Sequence, residues 1–204
     1  DEGAINELHQ RAKLSWEVEI SLPEGIVPTV PSEERKPVVT LEAKEGEIKP
    51  PEVARLEHYV RRATEQIDRH PQMSEANTIS ALIEPIFEIL GWNTRDLDEV
   101  QRQYSIPGGK GTEYVDIALM VDNKPKVVVE TKRVGEHLED YLAKQLINYA
   151  ILGNVDWCVL ANGRELRVYK ARWRVEGIEQ KLLFKLAINE YGTKFDKLWL
   201  LSKE

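Results

Sequence analysis

Three ionisable side chains stand where an ordinary β-strand would not place them. Asp116 interrupts the apolar run Tyr114-Val115-Asp116-Ile117-Ala118-Leu119, and Glu130 closes the run Val127-Val128-Val129. Lys132 follows Glu130 by two residues, so the period of a strand puts both side chains on one face. The segment Asp122-Asn123-Lys124-Pro125 reads as a turn between two strands. Val121 and Lys126 flank that turn, and Asp116 and Glu130 lie five and four positions from them, which makes the two carboxylates neighbours on the sheet. Two adjacent carboxylates with no partner repel one another and shift their pKa values. A hard divalent cation relieves this, because Mg²⁺ prefers oxygen ligands and commonly takes one or two carboxylates plus waters. Such an ion polarises a phosphoryl oxygen and helps to activate water. Lys132 would position that water or offset charge on the phosphorus. The competing reading is a solvated strand end with a Glu130–Lys132 ion pair, and Asp116 in register weighs against it.

The elements that must position these residues are legible from residue 74 onward. Ser74 is a good N-cap, and Ile79, Leu82, Ile83, Ile86, Phe87 and Leu90 make one helical face up to Gly91. Glu99 to Ile106 alternates as a strand, Pro107 to Gly111 reads as a mobile basic loop carrying Lys110, and Tyr114 to Val121 is a second strand. Val127 to Val129 is wholly apolar, as expected of a central strand covered on both faces. A helix is predicted from about Glu136 to Leu152, then a strand over Val155 to Leu160, an Asn162-Gly163 hairpin and a strand over Glu165 to Tyr169. The order is helix, three strands, helix, two strands, which is a mixed sheet between helices. Apolar alternation near Leu182 to Ile188 and a short helix around Phe195 to Leu201 follow. Before residue 71 the chain is rich in proline. Short strands are expected at Trp16 to Ile20 and Val38 to Leu41, and a helix at Glu52 to Arg69 whose apolar residues repeat at three and four.

Asp116, then Val-Val-Val-Glu130-Thr-Lys132, in this order of helices and strands, resembles the PD-(D/E)xK superfamily of Mg²⁺-dependent nucleases. More narrowly it resembles the N-terminal nuclease domain of the type I restriction enzyme R subunit. That family has an acid early in a helix ending in Gly-Trp, matched by Glu75 and Gly91-Trp92. It also has a Gln-x-x-x-Tyr helix, matched by Gln145 and Tyr149, and an Asn-Gly hairpin like Asn162-Gly163. The likeness covers roughly residues 74 to 170, and Val115 stands where the nominal motif has proline. It implies an α/β, restriction-endonuclease-like fold, a mixed central sheet flanked by helices in the order αβββαββ. Residues 1–70 would be an N-terminal extension and residues 71–204 the nuclease-like domain. It further implies a metal-dependent endodeoxyribonuclease of a restriction system, using Mg²⁺ with Mn²⁺ as a substitute. Asp116 and Glu130 would hold the metal, Lys132 would assist the attacking water, and Glu75 and Gln145 would complete the catalytic set. Tyr149, Lys110, Arg133 and Lys144 are the candidate nucleic-acid contacts. The partners implied are DNA and other restriction-system subunits, with a homo-oligomer as a further state.

Several residues carry a second reading. Gln145 falls among Leu138, Tyr141, Leu142, Leu146 and Tyr149 on the expected buried face, where an amide needs partners: it would orient Lys132 or Glu130, approach the DNA backbone, or simply be satisfied by a nearby backbone group. Glu75 continues the apolar face of its helix towards the site, or is a first-turn acid favoured by the helix dipole. Glu84 falls with Asn77, Ser80 and Glu88 on the solvated side, and His137 reads as a surface residue. Gly108-Gly109-Lys110-Gly111-Thr112 lacks the complete phosphate-loop pattern. The chain of 204 residues is 42% apolar with a single cysteine, Cys158, which excludes an internal disulfide. No apolar run is long enough to span a membrane, no signal peptide is visible, and a cytoplasmic protein is expected. The net charge of −7 runs against DNA binding, but Lys124, Lys126, Lys132, Arg133 and Lys144 gather around the motif. A module that binds nucleic acid or protein on the same fold without cutting is the alternative in a different class.

Overall fold

Alternating apolar side chains in the central strands divide the core into two layers. In a computed structural model, which describes residues 51–108, 111–175 and 177–203, six strands form one sheet in the order β1-β2-β3-β4-β5-β6. They are β1 (Val100–Gly108), β2 (Gly111–Val121), β3 (Lys124–Thr131), β4 (Trp157–Ala161), β5 (Glu165–Lys170) and β6 (Leu182–Ala187). All neighbours are antiparallel except β3 and β4, which run parallel and are joined across a helix. Ile117, Leu119, Val127, Val129, Val159 and Ala161 project into one layer, and Ala118, Met120, Val128, Cys158 and Leu160 into the other. Both faces of β3 are therefore covered, as its unbroken apolar run requires, and each such side chain contributes about 1.5–3 kcal/mol by leaving water.

The first layer is roofed by α1 (Pro51–Arg69) and by α2, which has three contiguous parts. These are Glu75–Thr78, a π-helical stretch Ile79–Ile83, and Glu84–Ile89. Ser74 caps α2 as expected, accepting from the Asn77 amide. Pro85 explains the widened turn, because its ring nitrogen has no proton to donate one turn back. The Tyr59 hydroxyl of α1 donates to the Leu82 carbonyl inside that stretch (2.5 Å). Leu56, Tyr59, Ala63 and Ile67 of α1 lie in the same core as α2 and the sheet. The compact unit runs from Lys49 to Glu204 and so takes in α1. The strands expected at Trp16 to Ile20 and Val38 to Leu41 lie outside the described residues.

The second layer is covered by α3 (Asp140–Leu152) through Leu142, Ala143, Leu146, Ile147 and Ala150. Periodicity predicts this helix from about Glu136, four residues too early. The Glu136 amide turns back to the Arg133 carbonyl, and the Glu136 carbonyl accepts from the Asn162 side chain (2.7 Å), so neither group enters the helix. Tyr141 is 63% exposed and Gln145 is also exposed, which corrects the expectation that both face the core. A sixth strand, β6, extends the sheet beyond the two strands expected after α3, and a short helix α4 (Phe195–Trp199) closes the chain. Among the described residues no helix is long and apolar enough to cross a membrane.

Candidate active site

The β2–β3 hairpin decides which residues meet. Asp122 and Asn123 both adopt left-handed backbone angles (φ 51° and 58°), which suits a two-residue turn between strands of right-handed twist. Lys124 and Pro125 therefore belong to β3 and pair with Val121 and Met120, where a four-residue turn is expected from the sequence. With so tight a turn, Asp116 would come to face Val129. An irregularity between Leu119 and Met120 moves the register by one, giving Leu119 opposite Val127 and Ile117 opposite Val129. One step further along the same register sets Asp116 opposite Glu130.

Asp116 is 8% exposed, in the company of few other buried polar residues. Its Oδ2 accepts from the Thr131 backbone amide (2.6 Å) and its Oδ1 from the Gln103 side-chain nitrogen (3.2 Å). Burial raises its pKa, against the pull of Thr131, Lys132 and Gln103. Glu130 is raised as well, first by burial and then by the charges of Asp116 and Glu75, with Lys132 opposing. Lys132 donates to Glu130 Oε1 (2.6 Å), and its Nζ lies 3.6 Å from Glu75 Oε2. Burial works against its ammonium, but Glu130, Glu75 and Asp116 outweigh that and raise its pKa. Asp116 of β2, Glu130 of β3, Lys132 just beyond the end of β3 and Glu75 in the first turn of α2 thus form one electrostatic unit with three acids and one base. Thr131 adds a hydroxyl buried without a hydrogen-bond partner among the described residues.

Other candidates lie elsewhere or do something different. The Gln145 amide donates to the Tyr149 hydroxyl (2.6 Å), which donates in turn to Glu113 Oε2 (3.2 Å). This exposed chain joins α3 to β2, so Gln145 orients neither Lys132 nor Glu130. Arg133 is exposed and pairs with Glu136 (3.3 Å), and Lys144 is exposed on α3. Lys110 lies outside the described residues. Pro107 pairs with Thr112 and Gly108 with Gly111, so β1 and β2 reach into the segment expected to be a loop. Glu84 is not on a solvated face: only 12% of its side chain is exposed, and it accepts from Arg102 Nε (2.6 Å). His137 is exposed, as a surface residue should be. Gln103 and the Thr131 amide were not recoverable as site groups from residue type. The one available signal for Gln103 was its place on the strand paired with that of Asp116.

Residues 99–176 match the family described as the type I restriction enzyme R protein N terminus. The matched segment takes in Asp116, Glu130 and Lys132 together with β1 to β5, and it supports a nuclease-like domain of a restriction system. Among solved structures, a chain of the cryo-EM structure of the DrdV–DNA complex is similar, with a TM-score of 0.53 and 12% identity. The likeness covers 74% of this chain and 14% of that one, so this chain spans only a small part of that protein. At this identity it shows the fold alone, a restriction-endonuclease-like mixed sheet flanked by helices. No curated protein matches.

Proposed function

We propose that this chain is a Mg²⁺-dependent DNA endonuclease domain of a restriction system. The observation that carries the reading is the joining of Asp116, Glu130 and Lys132 by a hairpin register that a one-residue irregularity adjusts. The residues fit the ion. A buried and a partly buried carboxylate whose pKa values are both raised, the charge of Asp116 helping to raise that of Glu130, are a donor set short of positive charge. Mg²⁺ commonly takes one or two carboxylates and fills the rest of its shell with water. Bound there, Mg²⁺ would supply Lewis-acid polarisation of the scissile phosphate.

The chain's own groups account for the rest. Asp116 and Glu130 hold the ion, with Asp116 fixed by the Thr131 amide so that its carboxylate is set before any ligand arrives. Lys132 keeps its proton, because three acids surround it, and so presents a cation to the phosphate oxygens or to the attacking water. Glu75 shares the hold on Lys132 and aims it. DNA is the proposed substrate, in keeping with the similarity to a chain of a restriction enzyme–DNA complex, and other restriction subunits are the proposed partners. Incubating the full chain with plasmid DNA in Mg²⁺, Mn²⁺ or EDTA tests the reading. Cleavage is expected with either metal, none with EDTA, and none from Asp116→Ala, which should also lose Mn²⁺ binding by calorimetry. A wild-type chain that binds neither metal would end the proposal.

A further inference from the structure

Gln103 has an unusual backbone for its residue type. It lies within β1 with φ +49°, a left-handed conformation that residues with a Cβ seldom adopt inside a strand. The ladder is in constant register on both sides, with Arg102 opposite Ile117 and Tyr104 opposite Val115. No residue is inserted, so the distortion is a local twist and not a bulge. Its position is informative, because the residue skipped in the partner strand is Asp116. The layers change there too. Ile117 and Leu119 enter the first layer, whereas Val115, which strict alternation would place with them, packs in the second. The Gln103 side chain is exposed, yet its amide nitrogen reaches Asp116 Oδ1 at 3.2 Å.

We infer that Gln103 is a positioning residue for Asp116, its amide and the Thr131 backbone amide together fixing both carboxylate oxygens in the orientation that meets a metal ion. An off-ladder conformation beside a functional carboxylate is a sign of strain retained for a purpose. Here the visible result of the twist is that hydrogen bond. With Oδ2 held by Thr131 alone, the carboxylate keeps one anchored oxygen and can rock about it. The second donor removes that freedom, and outer donors of this kind typically change metal affinity or activity by about tenfold to a hundredfold when lost.

The inference rests on the proposed metal-dependent function, and two variants separate it from a structural role. Gln103→Gly deletes the amide and removes the steric cost of the left-handed backbone, so its melting temperature should equal or exceed that of the wild type. Gln103→Met deletes the amide and keeps a side chain of similar length. Calorimetric titration of the full chain with Mn²⁺ should show a dissociation constant raised about tenfold in both variants. The Mn²⁺ concentration giving half-maximal plasmid cleavage should move by the same factor. In nitrogen-15 NMR spectra, Asp116→Asn should shift the Gln103 side-chain amide signals whether or not metal is added. Native Mn²⁺ affinity in Gln103→Gly would overturn the inference, as would an effect confined to Gln103→Met, which would trace the loss to backbone geometry. If the wild-type chain binds no Mn²⁺, the proposed function fails instead. The NMR shift then decides alone whether Gln103 holds Asp116.

Discussion

Two ionic clusters lie in one row across the sheet, since Glu130 pairs with Leu160, Leu160 with Arg167 and Arg167 with Lys185. At the β5–β6 end, Glu165 bonds Arg167 (2.5 Å) and Lys185 (3.1 Å), and Arg167 lies 3.8 Å from Asp140. That cluster has two acids and two bases. At the β3 end, Lys132 faces Glu130, Glu75 and Asp116. The glutamate side chains at the two ends are equally exposed, at 23%. Their pKa values nevertheless move in opposite directions. Burial raises that of Glu165, but Arg167 and Lys185 overcome it and leave the pKa lowered. Glu130 sits deeper among protein atoms, with one cation against two neighbouring acids, and its pKa stays raised. The balanced cluster closes on itself and serves the fold. The unbalanced one lacks positive charge, which is the condition expected of a site that receives a cation.

Lys132→Ala is the sharpest way to press on this contrast. Cleavage should fall by about a hundredfold or more, the scale of one lost electrostatic contact in the transition state, as measured by single-turnover assays on plasmid DNA. Affinity for Mn²⁺ should hold or rise, because a neighbouring positive charge has gone. Only 14% of the Lys132 side chain is exposed, so the variant leaves three acids without a cation. It should therefore lose stability in EDTA and regain it with metal, as read by thermal melting. A variant that cleaves normally would remove Lys132 from the mechanism.

Arg167→Ala should do the reverse. Removing the central base of the balanced cluster leaves Glu165 and Asp140 poorly matched and should cost about 1–3 kcal/mol of stability in urea unfolding. Cleavage by the folded variant should stay within a few-fold of wild type. A large loss of activity at full foldedness would show that the second cluster also meets DNA.

The smallest effect concerns Glu130→Gln in EDTA. The folded pKa of Glu130 is raised, so protonation stabilises the fold fully below the unfolded value, near about 4.3, and that contribution is lost as pH rises through the folded value. The glutamine variant should melt higher than wild type at neutral pH, with the gain shrinking as pH falls through the carboxylate range. Equal melting temperatures at every pH would mean that Lys132 alone balances Glu130.

Much of this was legible in the chain because strand periodicity speaks directly. Val127-Val128-Val129 announced a strand covered on both faces, and the interruptions at Asp116 and Glu130 marked where ionisable side chains gather. What was hidden depended on contacts remote in sequence. The start of α3 is set by Asn162 taking the Glu136 carbonyl, and Glu84 is drawn inward by Arg102. Gln145 and Tyr141 fit an apolar helical stripe on paper, yet α3 turns both outward and buries Ala143, Ile147 and Ala150 beside the expected Leu142 and Leu146. The helix of α1 was legible from its apolar repeat as part of an extension packed on the main domain, but the depth of that packing was not, and its Leu56 and Ile67 are fully buried in the shared core.

The irregularity between Leu119 and Met120 works like a vernier between two rulers. A two-residue turn sets one scale, the motif sets another, and the extra step brings their marks into line at Asp116 and Glu130. Loss or gain of one residue anywhere between Leu119 and Val127 would bring Val129 or Thr131 opposite Asp116 and turn Glu130 away. The hairpin can therefore change length in compensated steps only, so its tip, although far from the chemistry, is as constrained as the carboxylates it aligns.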